Sequence, residues 1–424
     1  MAITAPVFTV MYRNCDRGGH PRFLEFEEGE SAKTVSQRDI TQMVDIASAT
    51  KYFELILPKF GPYRVDYTRN GRQLLLGGHM GHLAVIDWFS KELAFEINVM
   101  ESIRDVQWLH NEMLMAVAQK RWTHVYDSRG TEVHVIKQLH NVLRLEFLPY
   151  HFLLVASNAK SFLSWVDVSI GKVIKSTYVR KNRLDVMCQN PANAIIHCGH
   201  PRGTVSLWSP NSEQPLVSML CHSTAVRGLA VDPTGTYMAT SGMEKQLKIW
   251  DLRMYKQVQG IKVPVPVNCL AFSQRKVLAA GSGGYVKVYR DVCSSLRSFP
   301  YLSHNCREIV TDVRFCPFED VLGVGHRGGF ASLLVPGAGE PNVDAFEANP
   351  HQSSAQRREA EVRLLLDKIQ PEMIMLDSEI VGKVDREGLL AKTGVSAETV
   401  IHFQFIICKF LVIFLLFRVS NLDE

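Results

Sequence analysis

The stretch Val226-Arg-Gly-Leu-Ala-Val-Asp-Pro-Thr-Gly-Thr-Tyr-Met-Ala-Thr-Ser-Gly-Met-Glu-Lys-Gln-Leu-Lys-Ile-Trp-Asp251 decides the fold. Val226 to Val231 is apolar-rich, and Asp232-Pro-Thr-Gly235 is a tight turn. Proline fixes φ where such a turn begins, and glycine supplies positive φ near its end. Tyr237 to Ser241 follows as a small, apolar strand, and after a second polar turn Leu247 to Trp250 closes on Asp251. The stretch therefore reads as three short strands in succession, with His222 just before the first.

The pattern repeats along the chain. The counterparts of Asp251 at the end of each third strand are Asp87, Asp127, Asp167, Ser209, Arg290 and Val335, spaced 40, 40, 42, 42, 39 and 45 residues apart when Asp251 is included. That is the period of WD-type propeller blades. Each repeat opens on an apolar, alternating strand, such as Arg144-Leu-Glu-Phe-Leu148, and turns at proline or glycine. Alternation of period two bounded by turns specifies strands. The expected fold is an all-β, seven-bladed WD-type β-propeller with short helical N- and C-terminal extensions. The seventh repeat runs out at Val335-Pro336 before an outermost strand is made. Phe53 to Leu57, which precedes the first repeat, is free to supply it and so remove an exposed sheet edge.

Residues 1–35 read as irregular. Residues 36–60 read as a helix plus the ring-closing strand, with Ser36 and Asp39 as a capping box and Ile40, Met43, Val44 and Ala47 on one apolar face. Residues 61–339 form the propeller. In the C-terminal extension, 340–399, Ser353 and Gln356 form a second capping box, and Val362, Leu365, Leu366 and Ile369 make a helical stripe that must dock on the propeller rim or on a partner. An atypical hydrophobic tail occupies 400–424.

Nine cysteines are dispersed without a C-x-x-C pair, the usage of a reducing compartment in which cysteine is a small buried hydrophobe. The N-terminus lacks a basic flank and is interrupted by Pro6, so it is a poor signal peptide and favours cytoplasm or nucleus. Residues 61–339 hold 31 Lys and Arg against 21 Asp and Glu. A basic body suits an anionic partner such as RNA, though ordinary charge asymmetry explains the number equally well.

Several motifs reduce to structure. Gly323-x-Gly325-x-x-Gly328 fits the dinucleotide pattern by letter, but a strand follows where the phosphate site needs a helix, so it reads as the middle turn of blade seven. His79/His82 and His197/His200 have metal-like spacing and read as loop histidines. His222, Ser241 and Trp250, with Glu244 and Asp251, read as structural blade residues, the first three in the hydrogen-bonded chain that braces WD blades. Trp208 reads as packing. No catalytic, cofactor-binding or metal residues are expected. Arg180, Lys181 and Arg183, beside Tyr178, form a basic loop able to grip a phosphate backbone; a solvated inter-blade loop is the competing reading.

Gly323-Val-Gly-His-Arg-Gly-Gly-Phe-Ala-Ser-Leu-Leu-Val-Pro-Gly-Ala-Gly-Glu-Pro-Asn342, followed by Phe346-Glu-Ala-Asn-Pro350, resembles the C-terminal signature of the nucleolar WD-repeat family with the BING-four C-terminal domain. Tyr63-Arg-Val-Asp-Tyr-Thr-Arg-Asn-Gly71 and Val142-Leu-Arg-Leu-Glu-Phe-Leu-Pro-Tyr-His151 are similar to that family too, and the likeness covers about residues 33–399. The resemblance implies a non-enzymatic scaffold of the small-subunit processome, supporting early pre-rRNA processing towards 18S rRNA. Its implied place is the nucleolus within the nucleus. Its implied partners are processome proteins, a box C/D small nucleolar ribonucleoprotein, pre-rRNA and an RNA helicase, with no small-molecule substrate or cofactor. A WD-repeat substrate adaptor, for instance of a ubiquitin ligase, is the alternative.

Two features depart from the family. Its members carry long Lys-rich extensions that this sequence does not show. Val400 to Val419 is instead an apolar run long enough to span a bilayer, but Lys409 in its middle costs about 2.5–3.5 kcal/mol to insert. The expected reading is an altered C-terminus of a variant gene product, with a membrane anchor the lesser reading.

Overall fold

The computed structural model describes residues 23–24, 35–180, 183–293, 299–340, 349 and 351–376. Twenty-eight strands make seven four-stranded antiparallel sheets. Blades one to six span residues 63–98, 103–140, 142–178, 186–220, 226–262 and 269–305. Blade seven takes three strands from 310–334 and its outermost strand from the other end of the chain. Phe53–Ile56 pairs antiparallel with the last strand, Phe53 opposite Ser332 and Ile56 opposite Gly329. The ring closes as the missing strand required.

Local sequence places the rest. The expected N-terminal helix is two: α1 (Gln37–Met43), with the Ser36–Asp39 capping box, and α2 (Ile46–Ala49). Val44 takes an extended backbone conformation and breaks the helix; Ile40 is buried and Val44 packs partly buried against the same core, while Ala47 is exposed. Gln37 supplies what the sequence pattern did not show. Its amide donates to the Leu334 carbonyl and accepts from the Leu334 N–H, at 3.1 and 2.8 Å, pairing like a strand residue. Leu24, in the segment read as irregular, is buried and donates its N–H to Tyr301.

Apolar residues of the second and third strands fill the spaces between blades, with Leu74, Leu76, Val321, Leu322 and Val324 among the most buried around the closing seam. There the glycine-rich motif finds its explanation. Gly323 and Gly325 lie on the strand Val321–His326, not in a turn. A Cβ on Gly323 would sit 2.5 Å from the Tyr67 hydroxyl, and one on Gly325 would sit 2.5 Å from the Tyr63 carbonyl oxygen. Close approach of blades seven and one, not phosphate binding, requires glycine.

Neighbouring blades are stapled near the axis by aspartates. Asp66 accepts the Trp108 N–H, Asp105 the Leu145 N–H and Asp312 the Val65 N–H, at 2.8, 2.8 and 3.2 Å. Each joins one blade to the next through a carboxyl oxygen that accepts from main chain. Farther in, Arg314 of blade seven pairs with Glu146 of blade three at 3.6 Å, a contact between non-adjacent blades.

Candidate nucleic-acid interface

In four-stranded antiparallel blades laid out in sequence, turns between second and third strands emerge at one end of the ring, together with the links between blades. The other end carries the remaining turns. The first end is decorated with exposed cations: Lys120, Arg121, Lys160, Arg202, Lys245 and Arg327 all lie in second-to-third turns. Arg180 and Arg183, also exposed, lie in the link between blades three and four; Lys181 falls outside the described residues.

Three exposed aromatic rings accompany the cations on blades two and three. Trp122 and Phe162 open the third strands of these blades and are 38% and 36% exposed; Tyr178 ends the fourth strand of blade three at 55%. Tyr178 lies opposite Phe162 in register, their ring centroids 5.2 Å apart. The surface is continuous across the blade boundary. The Asn141 N–H donates to the Arg121 carbonyl at 2.9 Å, and the Ala159 N–H to the Asn141 carbonyl at 3.2 Å, tying the turn before Trp122 to the turn that holds Lys160. Arg183 is engaged with Asp185 at 2.6 Å, but both are exposed, so the pair holds it only weakly. Exposed rings give bases a stacking surface and the surrounding cations neutralise phosphates, the two contributions single-stranded nucleic acid needs.

Sequence reading found Tyr178 and its basic loop but missed Trp122, Phe162, Lys160 and Arg121. The signal was present: the first residue of the third strand is Thr204 or Gln246 in blades four and five, and aromatic in blades two and three. A large ring at an exposed position of a repeat is not explained by packing.

The bracing chain of blade five needs one correction. His222 Nδ1 meets Glu244 at 2.6 Å and its Nε2 meets the hydroxyl of Thr240 at 2.9 Å; Trp250 donates its indole N–H to that hydroxyl at 3.0 Å. Ser241 is not in this chain. Successive strand residues point to opposite faces, so a shift of one position sends Ser241 to the next blade. Its hydroxyl donates to the Val267 carbonyl at 3.0 Å, as Ser157 of blade three does to the Leu184 carbonyl at 3.1 Å. Asp251 instead caps the following turn, accepting the Arg253 N–H at 2.8 Å. Thr240→Val keeps the volume but strands the Trp250 N–H. It is expected to lower stability by about 1–3 kcal/mol in urea unfolding, more than Ser241→Ala does.

Of the four histidines read as loop residues, His79 and His200 do lie outside the strands, whereas His82 and His197 lie on them. His197 lies on the buried strand Ile196–Gly199 at 0% exposure, and His200 is 1% exposed, bonded to Ser206 whose hydroxyl also takes the Trp208 N–H. His82 is buried between Tyr63 at 3.1 Å and Glu96 at 2.8 Å. Among the described residues no cluster of three or more His, Cys, Asp or Glu is arranged for a metal. The seven described cysteines are free thiols.

Burial pushes the His197 imidazole down to about 3, so it folds neutral. At this residue the unfolded chain then binds more protons than the folded one below about pH 6.5, so its contribution to stability falls with falling pH. Asp66 and Glu146, each pushed up to about 7 by burial, act in the opposite sense. Comparison with His197→Met isolates the histidine: the wild type is expected to lose stability relative to that variant as urea midpoints are followed from pH 7 to pH 4.

The opposite end of the ring is crossed by residues 351–376. Helix α3 (Ser354–Leu366) carries the expected Ser353–Gln356 capping box, but its apolar stripe does not dock on the rim. Val362, Leu365, Leu366 and Ile369 are 55, 43, 80 and 39% exposed. The polar side of the helix meets blade two instead, where Glu361 accepts from His110 Nε2 at 2.9 Å and Arg357 pairs with Glu112 at 3.6 Å. Beyond α3 the chain is fastened to blades three and four. The Ile369 N–H donates to the Tyr150 carbonyl at 3.0 Å, Lys368 pairs with Asp167, and Ile374 is 2% exposed among blade residues that include Ile195 and Trp208. The Ser209 hydroxyl donates to the Ile374 carbonyl at 2.8 Å. We refer to this segment as the strap.

Comparison with known proteins converges on the same elements. Residues 300–377 match the BING4CT (NUC141) domain, a span that includes the last strand of blade six, the three strands of blade seven in 310–334 and the strap; residues 213–251 match the WD domain, G-beta repeat. WD repeat-containing protein 46 of Caenorhabditis elegans is 54% identical over 364 residues, covering 86% of this chain and 63% of the relative. U3 small nucleolar RNA-associated protein 7 of Saccharomyces cerevisiae is 40% identical over 378 residues, covering 85% of this chain and 68% of the relative. The chain thus spans less than two thirds of the nematode protein. Among solved structures, a chain in the crystal structure of a mitotic checkpoint complex aligns with a TM-score of 0.59 at 16% identity, covering 67% of this chain and 94% of that one, which is a likeness of fold.

Proposed function

The chain belongs to the family of WD-repeat proteins with a BING4CT domain, and from that membership we propose that it is a non-enzymatic scaffold of ribosome biogenesis, acting in the small-subunit processome on early pre-rRNA. The observation that carries the reading is the aromatic and basic surface of blades two and three, which suits single-stranded RNA. The name of the yeast relative, which associates that protein with U3 small nucleolar RNA, supports it. On this reading the protein works in the nucleolus. Trp122, Phe162 and Tyr178 stack on unpaired bases, Lys160, Arg180 and Arg183 take phosphates, and Lys181 joins them from the same loop. The strap face then remains for protein partners, among them the box C/D ribonucleoprotein and an RNA helicase, with Val362, Leu365, Leu366 and Ile369 as an apolar docking stripe. The absence of catalysis follows from the same reading, since a scaffold needs contacts and no reacting groups. A substrate adaptor would instead read peptides and leave the rings of blades two and three without a role.

The reading is tested by depleting the protein in cells and pulse-labelling rRNA. Mature 18S rRNA is expected to fall while the large-subunit rRNA is maintained, and the chain is expected to restore it. Unchanged 18S rRNA would defeat the proposal.

A further inference from the structure

A cleft of about 570 Å³ lies between α3 and the turns of blades one and two. That volume is within the range of about 300–1,000 Å³ typical of ligand sites. Two of its walls are apolar, with Leu109 and Met113 from blade two and Ala360 and Leu364 from the helix. Its charge is unbalanced: Arg69, Arg129, Arg357 and Arg358 line it against Glu112 and Glu361. Both carboxylates are already engaged, Glu361 by His110 and Glu112 by Arg357 and Asn70. Arg357 is thereby engaged too, and Arg69 bonds to the Tyr150 hydroxyl, so the positive excess rests on Arg129 and Arg358. Trp108 makes the point separately from the arginines: it lines the cleft at 3% exposure, and its indole N–H has no partner among the described residues. A buried donor left unsatisfied is destabilising, which a ligand acceptor that reaches it would relieve.

We propose that this cleft is a docking site for an acidic, aliphatic peptide segment of a protein partner. The carboxylates of such a segment meet the arginines, its aliphatic side chains meet Leu109, Met113 and Leu364, and its main chain suits the amide side chains of Asn70, Asn111 and Gln352, which also line the cleft. RNA is disfavoured because Trp108 is buried, so the cleft offers no exposed ring on which a base could stack. The site lies on the opposite end of the ring from the aromatic surface, and it does not depend on the ribosome-biogenesis reading.

The test uses the full chain, a short fluorescein-labelled peptide of Asp, Glu, Leu and Val, and an oligouridylate of equal net charge as competitor. Binding of the peptide is expected, with Arg129→Glu/Arg358→Glu weakening it at least about tenfold and Arg253→Glu, outside the cleft, leaving it unchanged. Thermal melting of each variant controls for folding, since Arg129 and Arg358 make no ion pair among the described residues and are expected to be dispensable for stability. Three results would overturn the proposal: no binding of the peptide, equal binding by the charge-reversed variant, or displacement of the peptide by the oligouridylate at equal concentration with the same dependence on Arg129 and Arg358.

Discussion

Replacing Phe162 and Tyr178 together by alanine is expected to weaken binding of single-stranded RNA at least about thirtyfold. Stacking of a base on an aromatic ring contributes about 1–3 kcal/mol, and two rings are lost. The rings are exposed, and their partners across the strands are each other, so the blade loses little packing. Folding stability is expected to change by less than about 1 kcal/mol, which separates a lost contact from a damaged blade. Fluorescence polarisation with a labelled oligouridylate reads the affinity. A Lys160→Gln/Arg180→Gln variant provides the complementary result. It should weaken binding mainly at low salt and flatten the salt dependence, because the variant neutralises fewer phosphates and so releases fewer counterions on binding. Affinity unchanged by loss of both rings would remove the aromatic surface from consideration.

Ile374→Asp should detach the strap. The side chain is 2% exposed and packs with the core shared by blades three to five. Loss of its apolar contacts, together with a carboxylate placed in that core, is worth about 3–5 kcal/mol. The loss is capped by what the strap contributes, since the segment can leave while the ring stays folded. Hydrogen exchange should therefore accelerate at the Ile369 amide, which donates to Tyr150, while amides of the central strands stay protected. If exchange rose throughout the ring instead, the strap would be an integral part of the propeller. Ser209→Ala, which removes one hydrogen bond to the Ile374 carbonyl, should give the same pattern at smaller amplitude.

The ring was legible because each blade must bury the same kind of strand at the same interval, and the repeat survives even where Asp251 is replaced by Arg290 or Val335. Closure was legible as well, because blade seven lacked a strand that Phe53 to Leu57 could supply. Finer detail was harder. Thr240 and Ser241 are both small hydroxyl residues, and only the strand register decides which of them faces His222. The histidine pair His197/His200 has the spacing of a loop motif, yet the first of the two is a core residue whose imidazole stays neutral. The sequence of α3 reveals an apolar stripe but not its direction. Its polar side was recruited by His110 and Glu112, two residues of a turn that carries no distinguishing pattern of its own. The rings of blades two and three were visible letter by letter, and their meaning came from exposure. The readings of residues 1–22 and 377–424, including the hydrophobic run, lie outside the described residues.

Ultraviolet crosslinking in cells, with the RNA sequenced and the crosslinked peptides mapped, tests the scaffold reading most directly. Pre-rRNA should be enriched, and the crosslinks should fall on peptides containing Trp122, Phe162 or Tyr178. Failure to enrich pre-rRNA, or crosslinks confined to the strap face around α3, would contradict it.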